Sequence, residues 1–230
     1  MNLRPEEWAA LALSLKVSMV AVAFTLPVAI AVAWLLARRE FPGKSVLSAL
    51  VHLPLVMPPV VTGYLLLLTF GRNGAIGGFL ADHLGIVLAF RWTGAALAAG
   101  VMGFPLMVRA IRLSIEAVDP KLEEAAATLG AARMAGFFRV TLPLITPGIL
   151  AGVVLGFAKA MGEFGATITF VANIPGQTQT LPSAIYAFLQ VPGGEAGALR
   201  LVVLALIVAL GAVLVSEWLA RRVAARIGAP

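Results

Sequence analysis

The run VSMVAVAFTLPVAIAVAWLLA, residues 17–37, contains no Asp, Glu, Lys or Arg and is long enough, as a helix, to cross a bilayer. The hydrocarbon layer is about 30 Å thick, and a helix that satisfies its own amides needs about 20 apolar residues to span it. Four more uncharged runs follow: Ser45 to Phe70, Trp92 to Val108, Val140 to Ala158 and Leu201 to Ser216. The third and the last are short alone. They reach spanning length by extending toward Ile111 and back to Ala196, with Arg109 and Arg200 snorkelling to the interface. The runs predict an all-α integral membrane protein with five spans at about 14–37, 46–70, 92–112, 143–171 and 197–220. An external segment 1–10 precedes a transmembrane domain 11–220, and a cytoplasmic tail 221–230 follows it. Met1 to Glu7 holds one Arg against two Glu, and no small-x-small site follows the apolar stretch, so the first span is expected to be retained rather than cleaved.

The basic residues orient these spans. Eleven of the seventeen Lys and Arg fall in alternate segments: Arg38, Arg39 and Lys44; Arg109, Arg112, Lys121, Arg133 and Arg139; and Arg221, Arg222 and Arg226. Positive charge marks the cytoplasmic side, so the amino terminus is expected outside and the carboxyl terminus inside. The net charge of +6 is therefore read as orientation rather than nucleic-acid binding. Gly71 to Arg91 and Asn173 to Gly197 are rich in Gly and Pro and read as external caps.

The connection from Glu116 to Pro143 differs from every other, being polar enough to leave the bilayer yet strongly helical. Asp119-Pro120 supplies a capping carboxylate before a proline at the first helical position, and Lys121 to Leu129 consists mostly of good helix formers. Gly130 can take the left-handed conformation that ends a helix. A second helix over Ala131 to Val140 is expected to return the chain to Leu142-Pro143, giving a helical hairpin at the membrane face. Ala125, Ala126 and Ala127 would let a partner approach the backbone closely, although alanine also simply favours helix.

The spacing Glu124-Ala125-Ala126, three residues, Gly130, nine residues, Val140, one residue, Leu142-Pro143 resembles the EAA loop of bacterial ABC importer permeases. Six of that motif's seven fixed positions match, with Val140 in place of isoleucine. The resemblance implies that Glu124, Ala125, Ala126 and Gly130 form a surface docking on an ATP-binding subunit, with Val140, Leu142 and Pro143 leading into the returning span. It also implies the type I importer fold, a second copy of this chain, two copies of the ATP-binding subunit, and a periplasmic or extracellular oxyanion-binding protein. ATP and magnesium would belong to the ATP-binding subunits, and this chain would bind no cofactor. Its own Gly43-Lys44-Ser45 has Arg38 where a phosphate loop needs its first glycine.

The chain has no Cys and two His, His52 and His83, which read as packed or solvated residues; no catalytic group is expected. Pro54, Pro58 and Pro59 must interrupt hydrogen bonding within the second span, which is tolerated beside water or protein and so suggests a translocation path. Gly162-Glu163-Phe164-Gly165 marks the outer end of the fourth span. Together with Phe104-Pro105-Leu106 and Ser216-Glu217-Trp218, these stretches are similar to the permeases of molybdate importers; sulfate and tungstate permeases share parts of them. Lys159 and Glu163, at i and i+4, can form an ion pair fixing the helix or can line the path. Gly148, Gly152 and Gly156 form a flat strip suited to packing within the chain or to a dimer seam. A secondary transporter, the alternative of another class, would carry an internal repeat, and none is seen.

Overall fold

The computed structural model describes residues 4–130 and 132–227, so Ala131 and the outermost residues of the external segment and of the tail lie outside it. Among the described residues eleven α-helices and one π-helical turn are found: α1 Pro5–Arg38, α2 Lys44–Val56, α3 Pro59–Phe70, α4 Ala75–Leu84, α5 Trp92–Glu116, α6 Pro120–Thr128, α7 Arg133–Gly136, the π-turn Phe137–Thr141, α8 Leu142–Met161, α9 Gly165–Val171, α10 Leu181–Leu189 and α11 Glu195–Ile227. By length and composition four helices can cross a membrane, and five segments can do so when the bent pair α2–α3 counts as one span.

Helix α5 is the hub. Of its apolar window 67% is buried, against 22% for α1 and 17% for α11, so those two present most of their apolar side chains outward, as a bilayer requires. Both α1 and α8 pack on α5. Small residues make this close approach possible. A side chain on Gly103 would meet the Gly156 carbonyl oxygen at 3.1 Å, one on Gly156 would meet Met107 Sδ at 2.6 Å, and one on Gly148 would collide with Ser114. The strip Gly148-Gly152-Gly156 is thus spent on α5 within this chain, where van der Waals contact replaces the hydrophobic drive that lipid does not supply.

Three boundaries differ from the sequence expectation. Helix α1 starts at Pro5, not near residue 14, because Glu7 Oε2 accepts the Arg4 backbone N–H at 2.9 Å and Glu7 Oε1 is taken up by Arg200 of α11, at 2.6 and 3.0 Å from two guanidinium nitrogens. Glu7 is fully buried. Arg200 consequently does not snorkel away from the protein; it ties the start of α11 to the start of α1. The interruption that the prolines of the second span require falls at Met57-Pro58, where α2 and α3 meet at 114°. The fourth span stops at Met161, and α9 is a separate helix after a break at Gly162–Phe164. Finally, Arg133 to Val140 is not an independent arm, because α7 and the π-turn run directly into α8. The hairpin is lopsided, one short helix beside the base of a long one.

The packing of α8 on α5 generates a test. Gly156→Val should lower the thermal unfolding midpoint of detergent-purified protein through an overpacking cost of about 1–3 kcal/mol. Gly211→Val, at a position with nothing within 4 Å, should leave it unchanged.

Candidate functional site

The hairpin starts as its sequence requires. Asp119 Oδ1 accepts the Lys121 N–H at 2.9 Å, Pro120 occupies the first turn, and Gly130 ends the helix at φ +83°. That sign of φ costs a residue with a Cβ about 1–2 kcal/mol. Helix α6 buries none of its residues. Glu124, Ala125 and Gly130 are exposed, Ala126 half-buried, and Leu129 stands 88% exposed at the tip. Val140 and Leu142 are half-buried at the base of α8, while Pro143 is exposed in its first turn. The helix thus leaves a face and an apolar tip uncovered by the rest of the chain.

Sequence reading passed over what holds this helix in place. Glu123 Oε1 accepts from Arg38 at 3.1 Å and from the Thr141 hydroxyl at 3.0 Å, so one carboxylate oxygen joins α6 to the end of α1 and the base of α8. Arg38 had been read only as a topological charge, and no spacing rule pairs residues this far apart in the chain.

The two helix breaks lie against each other. A side chain on Gly165 would meet Pro59 Cβ at 2.8 Å, and one on Gly63 would meet the Ala166 backbone, so α3 and α9 are in backbone contact beside both interruptions. Glu163, 2% exposed, completes the second break: its Oε1 accepts the Ala166 N–H at 2.9 Å and its Oε2 the Lys159 ammonium at 2.8 Å. The carboxylate is therefore both the cap of α9 and the counter-charge of Lys159. Phe164 packs on Tyr186 of α10, ring centroids 5.1 Å apart.

Pro59, Glu163, Phe164 and Gly165 thus share one region with Lys159 and the neighbouring Pro58. Pro54 does not join them. It lines an open apolar cavity of about 510 Å³ with Phe24, Thr25 and Phe104. The Thr25 hydroxyl there donates to Ala21 O at 2.7 Å, and no charged group lines the cavity, so it offers nothing to an anion. His52 Nδ1 lies 2.7 Å from Ser48 O within its own helix, and His83 stacks on Phe79, so both histidines are occupied locally. Gly43 caps α2 at φ +90°.

Comparison with known proteins adds the following. Residues 26–228 match the family model of the binding-protein-dependent transport system inner membrane component. The molybdenum transport system permease protein ModB of Escherichia coli K12 is 61% identical over 221 residues, covering 96% of both chains. The protein of the same name from Haemophilus influenzae is 55% identical over 222 residues, covering 96% of this chain and 97% of its own. Among solved structures, a bacterial alginate ABC transporter in complex with an alginate-bound periplasmic protein superposes with a TM-score of 0.76 at 19% identity, over 96% of this chain and 80% of that one. At that identity the likeness is one of fold.

The Lys159–Glu163 pair can be tested directly. Lys159→Met removes the cation from a buried carboxylate and should destabilise the detergent-purified protein by up to about 3 kcal/mol. Adding Glu163→Gln, whose amide oxygen can still cap α9, should restore most of the loss. A double variant no more stable than the single one would show that the lysine stem, not the ion pair, matters.

Proposed function

The chain belongs to the family of binding-protein-dependent transport system inner membrane components, and from that membership we propose that it is the membrane subunit of an ATP-driven importer for molybdate, worked through α6 by a separate ATP-binding subunit. It is a multi-pass protein of the inner membrane. The observation that carries the coupling reading is an exposed, capped helix that buries none of its own residues, with the spacing Glu124-Ala125-Ala126, Gly130, Val140 and Leu142-Pro143 running from it into a span. Molybdate is supported by relatives named as molybdenum permeases that match across nearly their full length.

In this reading the amino terminus lies outside, α6 faces the cytoplasm, and two copies of the chain enclose one pathway. Two ATP-binding subunits hold ATP and magnesium beneath them, and an external oxyanion-binding protein delivers the substrate. Closure of the ATP-binding subunits draws the α6 helices together and opens the pathway outward; hydrolysis returns it. The joined breaks at Pro58-Pro59 and Gly162–Gly165 line the route. Lys159 is neutralised by Glu163, so the pair presents no net charge to the passing dianion. Such a lining lets an anion through without retaining it, and selectivity rests with the binding protein.

The test is reconstitution with the ATP-binding subunit and the binding protein in proteoliposomes. Gly130→Val, strained at its positive φ, should reduce copurification of the ATP-binding subunit and abolish ATP-dependent uptake, while the native complex takes up molybdate in preference to sulfate. Undiminished assembly and uptake by the variant would remove the coupling reading; sulfate uptake equal to molybdate uptake would remove the substrate reading alone.

A further inference from the structure

We infer that the Glu123 carboxylate is the latch through which α6 moves the spans, a positioning role that rests on the coupling reading above. Helix α6 has no buried residue, so packing alone grips it weakly. Among the described residues, the side-chain hydrogen bonds that leave α6 for other elements are those of Glu123. Both converge on Oε1. One comes from Arg38, the last residue of α1, whose guanidinium also donates to Val118 O at 2.9 Å in the linker before α6. The other comes from Thr141, which is buried and ends the π-turn at the base of α8.

These two helices flank α5. A displacement of α6 is therefore delivered at one atom to the two main packing partners of the hub. Charge-assisted hydrogen bonds are short and directional, which suits a joint that must hold under load. Arg38 Nε is buried without a partner, a donor that the carboxylate can take up when α6 shifts. Wide turns of the π type tend to occur at functional sites, and this one places the Thr141 hydroxyl beside the carboxylate.

Neither Glu123 nor Thr141 is a fixed position of the loop motif. Glu123 precedes its first residue, and Thr141 is the free position between Val140 and Leu142. Of the fixed positions Glu124, Ala125 and Gly130 are exposed, while Glu123 and Thr141, outside the fixed set, tie the helix to its own chain.

The experiment uses the whole complex, with native permease, Glu123→Ala, Thr141→Val and the double variant, in proteoliposomes with the external binding protein. Copurified ATP-binding subunit, stimulated ATP hydrolysis and molybdate uptake are measured on the same preparations. Each single variant should retain the ATP-binding subunit and hydrolyse ATP, yet lose at least about fivefold in uptake per ATP, the lower end of ordinary coupling between sites. The double variant should lose no more than the single ones, since all break one joint. Unchanged uptake per ATP would overturn the latch. So would additive losses, or loss of the ATP-binding subunit from Glu123→Ala, which would place Glu123 in the docking surface instead. If Thr141→Val alone fails to fold, Arg38→Lys takes its place, with the same split between hydrolysis and uptake expected. Should Gly130→Val leave assembly intact as well, the coupling reading itself would fall, an outcome distinct from failure of the latch.

Discussion

A peptide group in hydrocarbon must find its hydrogen-bond partner within protein, and that constraint decides where this chain can bend. It breaks helix within its membrane-crossing segments at two places, Met57-Pro58 and Gly162–Phe164, and it brings the two together. The absence of side chains at Gly63 and Gly165 lets α3 and α9 touch through their backbones, and Glu163 covers the amide that the second break exposes. Prolines at the first break remove donors that would otherwise need partners. The two interruptions are thereby gathered into one region of the chain, with Glu163 buried beside exposed Pro58 and Pro59.

Around that region the helices are held by shape rather than by charge. The contact of α5 with α8 depends on glycines that admit Met107 and Ser114, and three ion pairs fix helix ends or breaks. Glu7 with Arg200 fixes the start of α11, Lys159 with Glu163 fixes the break before α9, and Arg38 with Glu123 fixes α6. A body of tightly packed helices with a few polar joints passes on discrete displacements better than a uniformly soft one.

Local chemistry was legible in the sequence. The uncharged runs gave the number of spans, Asp119-Pro120 and Gly130 gave both ends of α6, and the i, i+4 spacing gave the Lys159–Glu163 pair. What depended on the meeting of distant segments was not legible. Prolines announce an interruption but not a 114° turn or its direction. The glycine strip of α8 fitted two partners equally until α5 was seen against it. The separate return helix was expected because Gly130 invites a turn, but continuation of α8 downward through the π-turn overrode that local signal. Arg200 reads from its position as an interfacial residue and Arg38 as a cytoplasmic-side charge, and their carboxylate partners lie 193 and 85 residues away.

The account stands on α6 facing the cytoplasm and meeting a motor there. The chain contains no cysteine, so a single one introduced by Leu129→Cys, at the exposed tip of the helix, reports on that position alone. A membrane-impermeant maleimide should label it in inverted inner-membrane vesicles stripped of the ATP-binding subunit, lose access when that subunit is restored, and fail to label it from outside in intact spheroplasts. Labelling from outside would contradict the account.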